Sequence, residues 1–388
     1  IIRHQMLKDK GFLITSLDEE AGLDIEDDYK QFAKTRYSEK TVEHSSLIFC
    51  WGSDDTKGLK KYYPQYSSKI FETGSPRVDL WKPIFSDYWI TPSQMPKKPF
   101  LLISSNMGAS NNNEAYYKVF SKLRLMRYFD RDPELLDEKF GRVSEQYLTI
   151  AAFIKAIRFI SKNSSDYDIV MRPHPTENIE AWKVYLEDLP NVHVIREDTI
   201  SAWINNAFAV MHNGCTTAFE ATISEKPLIS YVSYKQKYSH QLANKLGYRV
   251  ETEHELLDRL NKIFNSRSSL TTAKLDAQIP QLILNKISIN NNEHAVEKIV
   301  KIWETLDSEQ VSKPFSLIRL KLHLKVFKIK QIVVKILKNL FPSKLGNYEK
   351  NYKFAPLNKN DVIVRINRLI KLLKLNEKVT FEVLSDRA

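Results

Sequence analysis

Three short stretches of this 388-residue chain carry side chains suited to chemistry on a charged substrate. Asp18-Glu-Glu-Ala-Gly22 places three carboxylates side by side. Their mutual repulsion raises their proton affinity, so one of them held near a sugar hydroxyl is a candidate general base. In Met171-Arg-Pro-His-Pro-Thr-Glu177, two prolines fix the backbone around His174, and Arg172 offers a guanidinium fork shaped for phosphate or carboxylate. Met211-His-Asn-Gly-Cys-Thr-Thr-Ala-Phe-Glu220 joins a strand to a helix. Gly214 permits close backbone approach there, the helix start offers unpaired N–H groups, and Thr216 and Thr217 add hydroxyls, which together describe an anion site. Each stretch also has a structural reading: a solvated turn at Asp18, Arg172 paired with Glu177 or Glu197, and a helix capped by its own threonine. Cys215 is expected to pack. Asp130-Arg-Asp132 and Asp166-Tyr-Asp168 have the spacing of a metal-holding pair, but one precedes Pro133 in a polar region and the other opens a strand. Phosphate-loop, dinucleotide, zincin and nucleophile-elbow motifs are all missing from the sequence.

These stretches follow apolar runs that read as buried strands. Residues 12–17, 46–51 and 69–73 form a first set, with helical spacing over 29–42. A Pro-rich segment, 91–99, resists both helix and sheet and marks a boundary. Beyond it, strands at 100–104, 168–171, 192–195, 209–211 and 227–232 alternate with helices at 144–163, 179–189, 200–207 and 216–224. Such alternation demands right-handed crossovers and a parallel sheet. The expected fold class is α/β, with two Rossmann-like parallel-sheet domains facing a cleft: 1–95, with its start truncated, and 96–312, followed by a basic tail, 313–388. In open parallel sheets ligands bind beyond the carboxyl ends of the strands, which is where all three stretches fall.

Composition narrows the class. Apolar residues make up 43% and charged residues 27%, which excludes a wholly disordered chain. The two cysteines, Cys50 and Cys215, are too few and too far apart for a disulfide framework or a zinc knuckle, so a reducing compartment is expected. No apolar run reaches the length of about 18 residues needed to span a bilayer, and no signal peptide is readable. The net charge of +11 is local: residues 313–388 hold 18 Lys/Arg against 5 Asp/Glu, and the preceding residues 40 against 42. Between Glu309 and Glu349 there is no acid, while apolar residues and lysines alternate over 315–341. That pattern predicts a basic amphipathic helix on an anionic membrane surface, or a helix packed on the body with a solvated lysine face. Few aromatics interleave with the basic residues, so nucleic acid is not the expected partner.

The acidic stretch, the His174-Pro175 pair and the Thr216-Thr217 pair resemble the three motifs of bacterial GT-B glycosyltransferases that use CMP-activated acidic sugars, the sialyltransferases and retaining Kdo transferases. The wording Ser16-Leu-Asp-Glu-Glu, Gly74-Ser-Pro-Arg77, Arg172-Pro-His-Pro and His212-Asn-Gly-Cys-Thr-Thr with Phe219-Glu-Ala221 is similar to that of the "surface carbohydrate biosynthesis protein" family, over roughly residues 10–250. The resemblance implies a transferase of surface polysaccharide, lipopolysaccharide or capsule, that moves Kdo or a sialic-acid-like sugar from its CMP donor to a glycan or lipid-linked acceptor. It implies a catalytic carboxylate at Glu19, flanked by Asp18 and Glu20, and a nucleotide site made by His174, Arg172, Asn213, Gly214, Thr216, Thr217 and Glu220. Ala21 stands between the carboxylates and Gly22 where the family has Gly at once, so the acting acid stays open among the three. Departure from a single phosphate needs hydrogen-bond donors and no obligatory metal, so neither metal nor cofactor is expected. The expected location is cytoplasmic, at the inner face of the membrane. A UDP-sugar 2-epimerase and a non-enzymatic membrane- or nucleic-acid-binding module are the competing readings.

Overall fold

Short parallel strands, fully buried at β-sheet centres and partly exposed at the edges, build two sheets. The computed structural model describes residues 4, 7–8, 11–20, 23, 29–125, 127, 129–130, 134–235, 237–238, 242–266, 280–290, 292–306, 329, 332–333, 336 and 359–375. The first sheet has the order β1 (Thr15–Leu17), β2 (Leu47–Cys50), β3 (Ile70–Glu72). All four residues of β2 are buried, as a central parallel strand covered on both faces requires.

The second sheet contains β4 (Phe100–Ser104), β5 (Asp168–Arg172), β6 (Val192–Val194), β7 (Ala209–His212), β8 (Leu228–Tyr231) and β9 (Tyr248–Val250) in the order β6-β5-β4-β7-β8-β9, every pair parallel. One face is covered by Phe153, Ala156, Ile157 and Ile160 of the Glu134–Asn163 helix, and the other by Trp203, Phe219 and Leu242. The chain fills the sheet outward from β4 on one side and from β7 on the other. Their shared edge is the point where the strand order reverses, which is where such sheets bind ligands. The α/β class and the two parallel-sheet units are as the sequence led one to expect.

Details differ. The single helix expected over 29–42 is two, Tyr29–Arg36 and Glu39–His44, because the Ser38 hydroxyl accepts from the Thr41 amide (3.2 Å) and starts a new helix. Strand β9 and the helices Glu253–Ser266, Gln281–Lys286 and Ala295–Glu304 were not anticipated. The last two, assigned by the sequence to the second unit, return to the first. Ile299 clusters with Leu47 and Phe49, Trp303 meets Phe49 edge-on at 6.2 Å, and the Ala295 amide donates to Asp79 (2.6 Å). Gly52 makes this return possible, since a Cβ there would stand 2.4–2.6 Å from backbone atoms of Asn285 and Lys286.

The two units also share a packed seam. Trp51, Val78 and Trp81, beyond the carboxyl ends of β2 and β3, join one apolar cluster with Ala218, Phe219 and Leu242, and Ser224 donates to the Trp81 carbonyl (2.9 Å). The carboxyl edge of the first sheet therefore abuts the Thr217–Ile223 helix of the second. The Pro-rich segment is tied down as well, its Ser93 and Gln94 amides donating to the Glu197 carboxylate (3.3 and 2.9 Å).

Most of the tail expected to be amphipathic, 315–341, lies outside the described residues; the exceptions are Ile329, Ile332, Val333 and Ile336, all helical and exposed. A later helix, Lys359–Leu372, docks on the Pro83–Tyr88 turn. Among the described residues no helix is long and apolar enough to cross a membrane.

Candidate functional site

Ser104, the last residue of β4, pairs in register with Arg172 on one side and His212 on the other. The loops after β5 and β7 therefore flank the loop after β4, separated at their roots by two strand spacings, about 10 Å. A buried carboxylate holds two of these loops together. Glu177, fully buried, accepts at Oε1 from the Ser105 hydroxyl (2.8 Å) and the amides of Met107 (3.0 Å) and His174 (3.1 Å), and at Oε2 from Trp182 Nε1 (2.8 Å). Gln146 supports the β4 loop from below, its Oε1 accepting from the amides of Ala109 (2.9 Å) and Ser110 (3.1 Å).

The position of His174 follows from this frame. Its Nδ1 accepts from the Thr176 amide (3.2 Å) and lies 2.8 Å from the Thr176 hydroxyl. An Nδ1 that accepts leaves the proton of the neutral ring on Nε2, which makes that nitrogen the donor toward an anion. Across β4, Gly214 adopts φ +68°, a left-handed turn that carries the chain from β7 into the Thr217–Ile223 helix. Thr216 stands at the N-cap of this helix and is exposed, and its hydroxyl makes no hydrogen bond among the described residues, so the cap bond expected of a threonine is not made.

Several of the expected ligands hydrogen-bond within the protein. Arg172, expected on phosphate, is buried and donates from both terminal nitrogens to the carbonyls of Glu197 and Asp198, which ties β5 to the 197–198 turn. Thr217, also buried, turns its hydroxyl to Ser104 (3.1 Å), and Asn213 donates to the Tyr231 carbonyl (2.7 Å), tying β7 to β8. Cys215 is buried, as expected, and burial pushes its thiol pKa up. The Asp pairs also have other partners: Asp130 binds Arg127 (2.6 Å) and Asp168 binds His193 (3.0 Å).

Glu220 is different. It lies one turn into the helix, buried, with Oε1 unpartnered. Burial pushes its pKa up to about 7, against smaller pulls from a Ser201 hydrogen bond and the charges of Arg77 and Arg172. A carboxylate whose folded pKa lies above the ordinary 4.5 binds more protons folded than unfolded, so its contribution to stability is lost as pH rises through about 7. His212 works in the opposite sense. Burial pushes its pKa down to about 4, so stability is lost as pH falls from 6.5 toward that value. Glu220→Gln is therefore expected to gain on the wild type as pH rises from about 5 to about 8, by about 3 kcal/mol at most. Urea unfolding at a series of pH values checks this; parallel curves for the two proteins would contradict it.

Among the three adjacent acids the structure distinguishes clearly. Asp18 is clamped bidentately by Arg36, with Nε at 2.6 Å from Oδ2, and Glu20 shares the same guanidinium at 3.4 Å. The pairing with Asp18 in turn raises the Arg36 pKa. The Glu19 side chain is exposed, and its carboxylate has no hydrogen-bond partner among the described residues. Its backbone is fixed, because Arg77 donates to the Glu19 carbonyl (3.2 Å) while its guanidinium rests 5.7 Å from the Trp81 ring. Since the charge of Arg77 also bears on Glu220, this arginine links the acidic loop of the first unit to the Thr217–Ile223 helix of the second.

Sequence reasoning did not single out Glu177, Gln146 or Arg77 as site residues. Glu177 and Arg77 stood inside the quoted motifs, at Pro-Thr-Glu177 and Gly74-Ser-Pro-Arg77; Gln146 carried no signal.

No protein-family model matches the chain, and neither does any curated protein. Among solved structures it is similar to a putative UDP-N-acetylglucosamine 2-epimerase from Listeria monocytogenes, at 13% identity over 78% of this chain and 72% of that one, with a TM-score of 0.46. It is also similar to the UDP-GlcNAc 2-epimerase from Neisseria meningitidis (13%, 78% and 72%, TM-score 0.44) and to the wall teichoic acid polymerase TagF (14%, 69% and 61%, TM-score 0.39).

Proposed function

We propose that the chain is a glycosyltransferase of surface-polysaccharide biosynthesis that passes an acidic sugar, Kdo or a sialic-acid-like nonulosonate, from CMP to a glycan or lipid-linked acceptor. The observation that carries this reading is Glu19: an exposed carboxylate with no partner among the described residues, on a loop whose backbone Arg77 fixes against the seam with the Thr217–Ile223 helix. The acceptor hydroxyl gives its proton to Glu19 as its oxygen bonds to the anomeric carbon. The bond from that carbon to the phosphate oxygen breaks, and CMP leaves with the electron pair. The charge that grows on the phosphate is met by Nε2–H of His174 and the Thr216 hydroxyl, while the frame of Glu177 keeps the β4 and β5 loops in place beforehand. Incubating the protein with CMP-Kdo or CMP-sialic acid and a glycan acceptor should release CMP only when the acceptor is present. Conversion of UDP-GlcNAc with no acceptor would instead establish the epimerase reading.

The tail supplies the location in this proposal. Ile329, Ile332, Val333 and Ile336 recur at the spacing of one helix face and are 48–60% exposed, in a stretch of sequence with lysines and no acids. We expect the protein to sediment with vesicles containing about 30% phosphatidylglycerol but not with pure phosphatidylcholine, and the bound fraction to fall at high salt. Binding to both vesicles alike, or to neither, would contradict this.

A further inference from the structure

The Lys359–Leu372 helix docks through two arginines. Arg368 donates to the carbonyls of Asp87 (3.0 Å) and Trp89 (2.6 Å), and Arg365 lies 5.7 and 6.0 Å from the rings of Tyr88 and Trp89. Arg365 also reaches the second unit, with Nη2 at 3.3 Å from Oδ1 of Asp198. Asp198 sits at φ +55°, a left-handed backbone that a non-glycine residue keeps only when its surroundings hold it. Its carbonyl is one of the two that receive Arg172. The same short segment continues the sheet and reaches the hub: the Ile195 amide donates to Met171 (3.1 Å), and Arg196 donates to the Glu177 carbonyl (2.6 Å). Contacts therefore run without a gap from the tail helix through residues 196–198 to Arg172, Glu177 and His174.

We infer that Arg365 is a positioning residue: by holding Asp198, the C-terminal helix sets the turn whose carbonyls receive Arg172 and so orders the loop bearing His174. Through this contact the basic tail is energetically coupled to the carboxyl edge of the second sheet. The ordering follows from the contacts themselves, whereas its consequence for nucleotide rests on the reading of that edge as the donor site.

Hydrogen exchange on the full chain tests it. In Arg365→Ala, peptides covering 172–178 and 196–199 should exchange about tenfold faster while β2 and β8 stay as in the wild type. Arg365→Lys should restore slow exchange, and Asp198→Asn, which keeps the side-chain shape, should reproduce the acceleration if Arg365→Ala proves too unstable to measure. CMP affinity should fall about fivefold in Arg365→Ala and recover in Arg365→Lys. Unchanged exchange at 172–178 and 196–199 in both Arg365→Ala and Asp198→Asn would overturn the inference. Accelerated exchange in a protein that binds no CMP in its wild-type form would uphold the strap and discard the donor reading.

Discussion

Glu177→Ala is expected to cost about 4 kcal/mol of folding stability, because it strands four donors at once in a buried site. The Ser105 hydroxyl, the Met107 and His174 amides and Trp182 Nε1 all lose their acceptor, and nothing among their neighbours replaces a carboxylate that is fully buried. Each stranded donor costs about 1–3 kcal/mol, and removing one side of a buried charged network reaches about 3–5 kcal/mol because the losses overlap. Glu177→Gln keeps the shape but turns an NH2 toward donors on one side, so its cost should fall between alanine and wild type. Urea denaturation followed by tryptophan fluorescence measures all three proteins. A loss below about 1 kcal/mol in the alanine variant would mean that the loops after β4 and β5 are held by something other than this carboxylate.

Glu19→Gln is expected to lower turnover about 100- to 10,000-fold while leaving the Michaelis constant for the CMP-sugar within about threefold. The amide is close in size to the acid and cannot take the acceptor's proton. Because the Glu19 side chain makes no hydrogen bond among the described residues, the exchange should leave stability untouched. Asp18→Asn serves as the contrast. It weakens a bidentate clamp with Arg36, so its effect should appear in unfolding experiments as well as in rate. If Glu20→Gln lost turnover and Glu19→Gln kept it, the assignment within the acidic stretch would be reversed.

The central strands of the parallel sheets were readable because they are nearly uninterrupted apolar runs ended by turn residues. Phe100–Ser104 and Leu228–Tyr231 have no polar residue before their last two positions. The return of Ala295–Glu304 to the first sheet was not readable, since its partners Leu47 and Phe49 lie some two hundred and fifty residues earlier and periodicity does not name a partner. In the site, residue type pointed to place better than to role. His174 and Thr216 stand where strand ends meet, yet Arg172, equally suggestive as a phosphate ligand, is consumed by two carbonyls, a choice that depends on a turn 25 residues away. The resemblance placed the catalytic carboxylate at Glu19 but left the acting acid open among the three. The position of Arg36 on a neighbouring helix separates the paired Asp18 from Glu19, whose side chain has no partner among the described residues.

The proposed transferase requires a nucleotide site between the loops of His174 and Thr216. Calorimetric titration of CMP, UMP and UDP into the wild type and His174→Ala tests it most directly. CMP should bind most tightly of the three, and loss of the imidazole should weaken it about tenfold to a hundredfold, the worth of one hydrogen bond to a charged group. Equal indifference of the wild type to all three nucleotides, or CMP binding unchanged in His174→Ala, would contradict it.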